Sequence, residues 1–207
     1  DDDRYTAAPL LPETRGGGGL SLVGRSLHFM GGTEADRDTD SPDHWVLDLD
    51  AWARGSAEWT HAAPMPVPRN QFACVTFDGK IYAMGGQVHH DSEQVDQARV
   101  DIYDPATDSW SAGPPLPKGH SHAEGGTFVH GDRVYMVGGH TTATGESKKV
   151  DADVLALSLG GQWEVVATLP MPLSSPAAGI IDGKLYVAGG SPGNSAVQAD
   201  MWVTGAP

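Results

Sequence analysis

The chain has 207 residues, with 27 Asp and Glu against 13 Lys and Arg and a formal net charge of −14. So acidic a chain is poorly suited to neutralising nucleic-acid phosphates, and its surface suits neutral or cationic partners. No apolar run approaches the roughly 20 residues of a membrane helix, and a lone cysteine, Cys74, excludes an intrachain disulfide.

In chain order, the opening Asp1-Asp2-Asp3 lacks an initiator Met and shows no signal peptide, as a mature, processed or truncated product would. Arg4-Tyr5-Thr6-Ala7-Ala8-Pro9-Leu10-Leu11-Pro12 then reads as an outer strand, to be set beside Trp59-Thr60-His61-Ala62-Ala63-Pro64-Met65-Pro66. After it the chain says one thing four times. An apolar strand such as Phe72-Ala73-Cys74-Val75-Thr76-Phe77 leads to a tight turn (Gly24-Arg25, Asp78-Gly79, Gly131-Asp132, Asp182-Gly183). A second strand ends in a glycine pair: Phe29-Met30-Gly31-Gly32, Ala83-Met84-Gly85-Gly86, Met136-Val137-Gly138-Gly139 and Val187-Ala188-Gly189-Gly190. A polar loop follows, then a third strand, for example Trp45-Val46-Leu47-Asp48-Leu49 or Val100-Asp101-Ile102-Tyr103. A second turn, clearest in Asp104-Pro105-Ala106-Thr107-Asp108, precedes a fourth strand that opens on Trp59, Trp110 or Trp163 and runs to a Leu/Met-Pro pair. The first glycines, at 31, 85, 138 and 189, recur every ~50 residues, a period that means stacked blades.

This order of strand, Gly-Gly, Tyr-Asp-Pro-like turn and Trp resembles the kelch repeat over essentially the whole chain, with Tyr-Asp-Pro complete only in the second copy and His28 standing where the others have Tyr82, Tyr135 and Tyr186. The resemblance implies an all-β, kelch-type β-propeller with little helix, four blades' worth of four-stranded antiparallel sheet. It extends to secreted bacterial kelch domains and the galactose-oxidase-like propeller. One domain over residues 1–207 is expected, with blades near 13–64, 67–116, 118–169 and 172–207 and residues 1–12 as an extra outer strand. That strand either clasps the last blade into a four-bladed ring or belongs to a preceding blade of a larger, six-bladed propeller.

Strand reversal places the long second-to-third-strand loops and the blade-to-blade links on one face. Those loops run from Thr33 to His44, Gln87 to Arg99, His140 to Asp151 and Ser191 to Ala199. Arg15, Arg69, Asn70, His89, His90, His120, His122, Glu124 and His140 gather there, all but His140 near the axis and Arg69 and His122 partly solvated. Such a set can hydrogen-bond loop backbones or grip a polyol or acidic group. No metal site or cofactor is expected. The Asp36–Asp43 stretch lacks calcium-loop spacing, Gly16–Gly19 opens a strand instead of a helix, and Cys74 sits mid-strand as a small hydrophobe. The function expected is a non-enzymatic binding or structural module of an extracellular or periplasmic protein, with a protein or a glycan as partner. The alternative is a sugar epimerase, mutarotase or galactose-oxidase-like enzyme on the same scaffold. Convergence of Arg15, Arg69, His122 and Glu124 on one pocket would favour the enzyme, and their dispersal the binding module.

Overall fold

The computed structural model describes residues 5–56, 58–90, 92–193 and 197–205. The hairpin turns behave as their sequences require. Asp78-Gly79 and Asp182-Gly183 are left-handed at both positions, with φ of 49° and 71° and of 50° and 67°, the combination that matches the twist of two-residue hairpins.

The first blade is the sheet β1 (Gly19–Val23), β2 (Ser26–Met30), β3 (His44–Asp48) and β4 (Thr60–His61). Where a simple turn was expected after β3, a short helix α1 (Leu49–Ala53) forms, because the Asp48 carboxylate accepts the N–H groups of Asp50 and Ala51 as an N-cap. The second blade has β5 (Ala73–Phe77) and β6 (Lys80–Met84). A small hairpin of β7 (Gln87–Val88) and β8 (Val95–Asp96) follows within the long loop, then β9 (Val100–Asp104) and β10 (Ser109–Ala112) complete the blade. The third repeats this with β11 (Thr127–His130), β12 (Arg133–Val137), the loop hairpin β13 (His140–Thr141) and β14 (Lys149–Val150), then β15 (Asp153–Ser158) and β16 (Trp163–Thr168). Among the described residues the fourth blade has three strands, β17 (Ala177–Ile181), β18 (Lys184–Ala188) and β19 (Met201–Gly205). The architecture is therefore an all-β propeller of four antiparallel blades.

Apolar side chains fill the spaces between blades. Met30 meets Phe72, Ile81 and Tyr103 between the first and second; Met84 and Val100 meet Met136 and Leu155 between the second and third; Val137 and Val154 meet Leu173 and Leu185 between the third and fourth. Backbone bonds stitch the same joints. Gly32 N–H donates to Arg69 O, Gly86 N–H to His120 O and Gly139 N–H to Leu173 O, at 3.0, 2.8 and 2.7 Å. A second ladder runs along the inner strand entries: Gln71 N–H to Gly17 O, His122 N–H to Gln71 O and Ser175 N–H to His122 O. All four members are left-handed, with φ between 51° and 65°. Among the described residues no backbone bond joins the fourth blade to the first.

The N-terminal segment corrects the strand reading. Residues 5–12 form no strand; Pro9 and Pro12 lack N–H donors, and no third strand lies beside them. Asp3 and Arg4 lie outside the described residues. The segment sits against the first blade, where Trp59 Nε1 donates to Pro9 O at 3.1 Å, and does not pair with β19. His28 is a buried core residue, its Nδ1 2.9 Å from His44 Nε2. Cys74 is partly buried in β5, and burial pushes its thiol up to about 12, far from the thiolate form that reacts.

Candidate functional site

The long loops of the first three blades are tied to one another on one side of the disc. Asn70 Nδ2 donates to Asp40 Oδ1 at 2.6 Å, and the His89 N–H donates to Asp40 Oδ2 at 3.0 Å. Ser92 Oγ donates to Asp38 Oδ1 at 2.7 Å, and Asp96 N–H to Thr142 O at 2.9 Å. Two open clefts lie in the seams. One, of about 450 Å³, has Asp38, Thr39 and Asp40 on one wall and Val88 and His89 on the other. The second, of about 480 Å³, runs between Ser92–Val95 and Thr142–Glu146. A cleft of about 460 Å³ on the far side, beside α1, is bounded by the first blade alone, from Asp48 to Thr60. The two seam clefts thus differ in spanning two blades each, whereas a further loop-face cleft of about 330 Å³, between Thr14–Gly16 and Thr33–Arg37, lies within the first blade.

The arginines do not reach these clefts as free cations. Arg69, expected to be partly solvated, is fully buried. Its guanidinium donates to the carbonyls of Gly85, Ala83 and Val67 and to Asp101 Oδ2, at 2.8 to 3.0 Å. The glycine pair turns the second strand's end so that its carbonyls face the strand entry, and only a rigid multi-donor group satisfies them together. Arg15, at the equivalent entry of the first blade, has a side chain only 3% exposed; it pairs with Glu13 and Asp43 and covers the Trp45 ring. Asn70 is buried by its bond to Asp40. His120 is buried as well, donating through Nε2 to Gly138 O while its Nδ1 stands 3.4 Å from Asp151 Oδ2, which Lys118 holds at 2.8 Å. These four are the mortar of the blades, and the partial solvation expected of Arg69 is corrected.

His122 and His140 do come together. Their rings stack with centroids 4.2 Å apart, and Ser121 Oγ lies 3.0 Å from His122 Nδ1 and 3.2 Å from His140 Nε2. His140 Nδ1 contacts Ser174 Oγ at 3.2 Å, and Gln94 approaches Nε2 at 3.1 Å. His90 and Lys148 are near enough to act electrostatically on His122. Burial first, then Lys148 and His90 for His122 and His122, Lys148 and His120 for His140, hold His122 down to about 4 and His140 to about 3, so both rings are neutral near pH 7. His89 is exposed, with left-handed φ of 58°. Glu124, expected on an inner strand, lies in a 3-10 turn (Glu124–Gly126) before β11. It is exposed to solvent, yet crowding by surrounding protein raises its pKa, and no charged partner contributes to that shift. Sequence reading missed Asp101, Ser121, Ser174 and Gln94; for Ser121 and Ser174 the signal available was their equivalent place in successive repeats. Among the described residues no three His, Cys, Asp or Glu side chains are grouped to hold a metal ion.

These histidines make the fold acid-sensitive. His44, held at about 4 mainly by burial, joins His122 and His140 below the ordinary 6.5. The folded state then binds fewer protons than the unfolded chain, so stability is complete above pH 6.5 and is lost as pH falls toward 4. Asp96 and Glu124, raised chiefly by burial, oppose this in part. Chemical denaturation should show a lower midpoint at pH 4.5 than at pH 7; an unchanged midpoint would contradict the buried, neutral assignment.

The sequence from residue 4 to residue 190 matches the family profile described as the KLHDC2/KLHL20/DRC7 Kelch-repeats domain. It is similar to the Kelch-like protein terF of Aspergillus terreus, 33% identical over 141 residues, covering 64% of this chain and 30% of that protein. It is also similar to the Kelch repeat-containing protein At3g27220 of Arabidopsis thaliana, 26% identical, covering 95% of this chain and 51% of that one. Beta-scruin of Limulus polyphemus is 25% identical over 91% of this chain and 20% of its own length. The chain therefore spans between a fifth and about half of these relatives. In fold it resembles the solved structure of YjhT, with a TM-score of 0.76 and 19% identity over 95% of this chain and 64% of that one.

Proposed function

From the premise that this chain belongs to the kelch-repeat family, we propose that it is a non-enzymatic binding module that recognises a protein segment on its long-loop face. The observation that carries this reading is the dispersal of the polar candidates. Arg15 and Arg69 are consumed in separate blades by their own carboxylates, and no charged group near Glu124 contributes to its raised pKa. A sugar-processing site would need them aimed at one reacting centre. What the loop face offers instead includes two clefts that each lie between rigidly tied loops of neighbouring blades, shaped for an extended chain.

The partner's charge follows from the loop sequences. Between Thr33 and Asp43 stand Glu34, Asp36, Asp38, Asp40 and Asp43 against Arg37 alone, and Glu93 lines the neighbouring cleft. A cationic segment is favoured in encounter and register. A secreted or periplasmic setting, as in the bacterial kelch domains this sequence resembles, completes the reading. The test is an array of lysine- and arginine-rich peptides, probed with the 207-residue chain and with Asp38→Asn/Glu93→Gln. The variant should keep its unfolding midpoint and lose at least about tenfold in affinity, more at low salt. Equal binding by the variant, or selection of acidic peptides or glycans in parallel arrays, would overturn the assignment.

A further inference from the structure

The first blade departs from the repeat at two positions that touch each other. His28, paired with Val46, stands where Tyr82, Tyr135 and Tyr186 pair with Ile102, Ala156 and Val203. His44, paired with Met30, stands where Val100, Val154 and Met201 pair with Met84, Val137 and Ala188. A tyrosine and an apolar residue are thus replaced by two histidines. They are 2% and 1% exposed, with ring centroids 5.2 Å apart.

Their hydrogen bonds leave one protonation state. The Ala63 carbonyl can only accept, so His44 Nδ1, 3.0 Å away, carries a proton and donates it. In the neutral ring His44 Nε2 is then an acceptor, and His28 Nδ1, 2.9 Å from it, is the donor. His28 Nε2 is left as a bare lone pair, buried without a partner among the described residues. Neither ring can take a second proton where it stands. On His44 it would point at the His28 N–H, and on His28 it would be a buried donor facing no acceptor.

The groups packed over the pair come from the second blade. Tyr103 meets His44 edge-on at 4.5 Å between centroids and lies 5.6 Å from His28, and Trp110 lies 5.6 Å from His44. Trp110 Nε1 donates to the same Ala63 carbonyl at 2.8 Å. Asp108 is the charged group that acts on both rings. It is exposed at the rim, and its Oδ1 already accepts from Tyr103 OH and from the Ala63 N–H, each at 2.8 Å. Burial outweighs its pull on both rings.

We propose that the His28–His44 pair is a proton-operated latch between the first and second blades, closed while both rings are neutral and opened in acid, when the first blade moves off Tyr103 and Trp110 and the rings become hydrated. The closed pair binds fewer protons than hydrated imidazoles do. The latch is therefore closed above the ordinary 6.5 and opens as pH falls toward 4, the value to which His44 is held. Such an opening is local, confined to one joint of the propeller.

Backbone donors that cross the joint report on it. Gly32 N–H donates to Arg69 O, Gln71 N–H to Gly17 O and Ala63 N–H to Asp108 Oδ1, while Gly139 and Ser175 donate across joints further along the chain. Amide exchange of the 207-residue chain is followed by NMR at pH 7 and pH 4.5, corrected for the intrinsic pH dependence of exchange. Protection at Gly32, Ala63 and Gln71 should fall at least about tenfold. His28→Tyr/His44→Val, which writes the second blade's residues into the first, should remove most of that fall and leave the change at Gly139 and Ser175 as in the parent. Unchanged protection in the parent, or the same fall in the variant, overturns the proposal. Should the variant not fold, the ring nitrogen shifts of the parent decide. Protonation of His28 and His44 that tracks the loss of protection supports the latch, and rings still neutral at a pH where the three amides open overturn it.

Discussion

Arg69→Met is expected to cost about 3–5 kcal/mol and to leave the chain marginally folded at best. The side chain is wholly buried and so is that of Asp101, 2.8 Å away. Removing the cation strands that carboxylate and three backbone carbonyls, those of Val67, Ala83 and Gly85, in a dry interior. Arg99, which also reaches Asp101 at 2.7 Å from the solvent side, limits but does not cancel the loss. Asp101→Asn should be milder, because an amide oxygen still accepts from the guanidinium. The double change Arg69→Met/Asp101→Leu should recover part of the loss, since the repeats built on Leu155 and Trp202 manage without the pair. Denaturant unfolding of the four proteins checks this. An Arg69→Met variant within about 1 kcal/mol of the parent would return Arg69 to the solvent-facing role.

The second large effect is at the glycine pairs. Gly85→Ala and Gly138→Ala are expected to lose about 4 kcal/mol or more. Both glycines have φ of 63°, and a Cβ there would stand 2.2 Å from His120 O and 2.3 Å from Leu173 O. Those carbonyls belong to the next blade, so the clash opens the joint that the Gly86 and Gly139 N–H groups close. Gly79→Ala separates the two causes. Its φ is 71°, but a Cβ would meet nothing within 4 Å. It should cost only about 1–2 kcal/mol, the left-handed penalty alone. Equal losses at Gly79 and Gly85 would show that backbone conformation, and not close approach of blades, explains the pairs.

The blades were legible because each repeat states its strands in apolar runs and closes its first hairpin on a glycine turn, Asp-Gly or Gly-Asp in three repeats and Gly24-Arg25 in the first. The short loop hairpins β7/β8 and β13/β14 were not, since two-residue strands such as Gln87–Val88 carry no period to read. Helix α1 was missed although Asp48 and Asp50 mark its start. At the candidate site, strand reversal brought the right residues to one region but could not give their burial. Arg69 was taken as solvated because its partner Asp101 lies on another strand. The clue was positional: Asp101 stands where the other repeats have Trp45, Leu155 and Trp202, and a carboxylate among such equivalents calls for a buried cation. The left-handed ring of Gly17, Gln71, His122 and Ser175 was hidden for a similar reason, since three of its four members are not glycine.

The central claim is that partners engage the loop face between blades. Its most direct test places a photo-cross-linking residue at Thr144, in the cleft between the second and third blades, or at Ser56, in the cleft beside α1 on the far side. Each protein is irradiated with the tightest basic peptide from the array. Cross-linked peptide at position 144 and none at position 56 is the predicted result. Cross-linking at 56 with none at 144 would contradict the account.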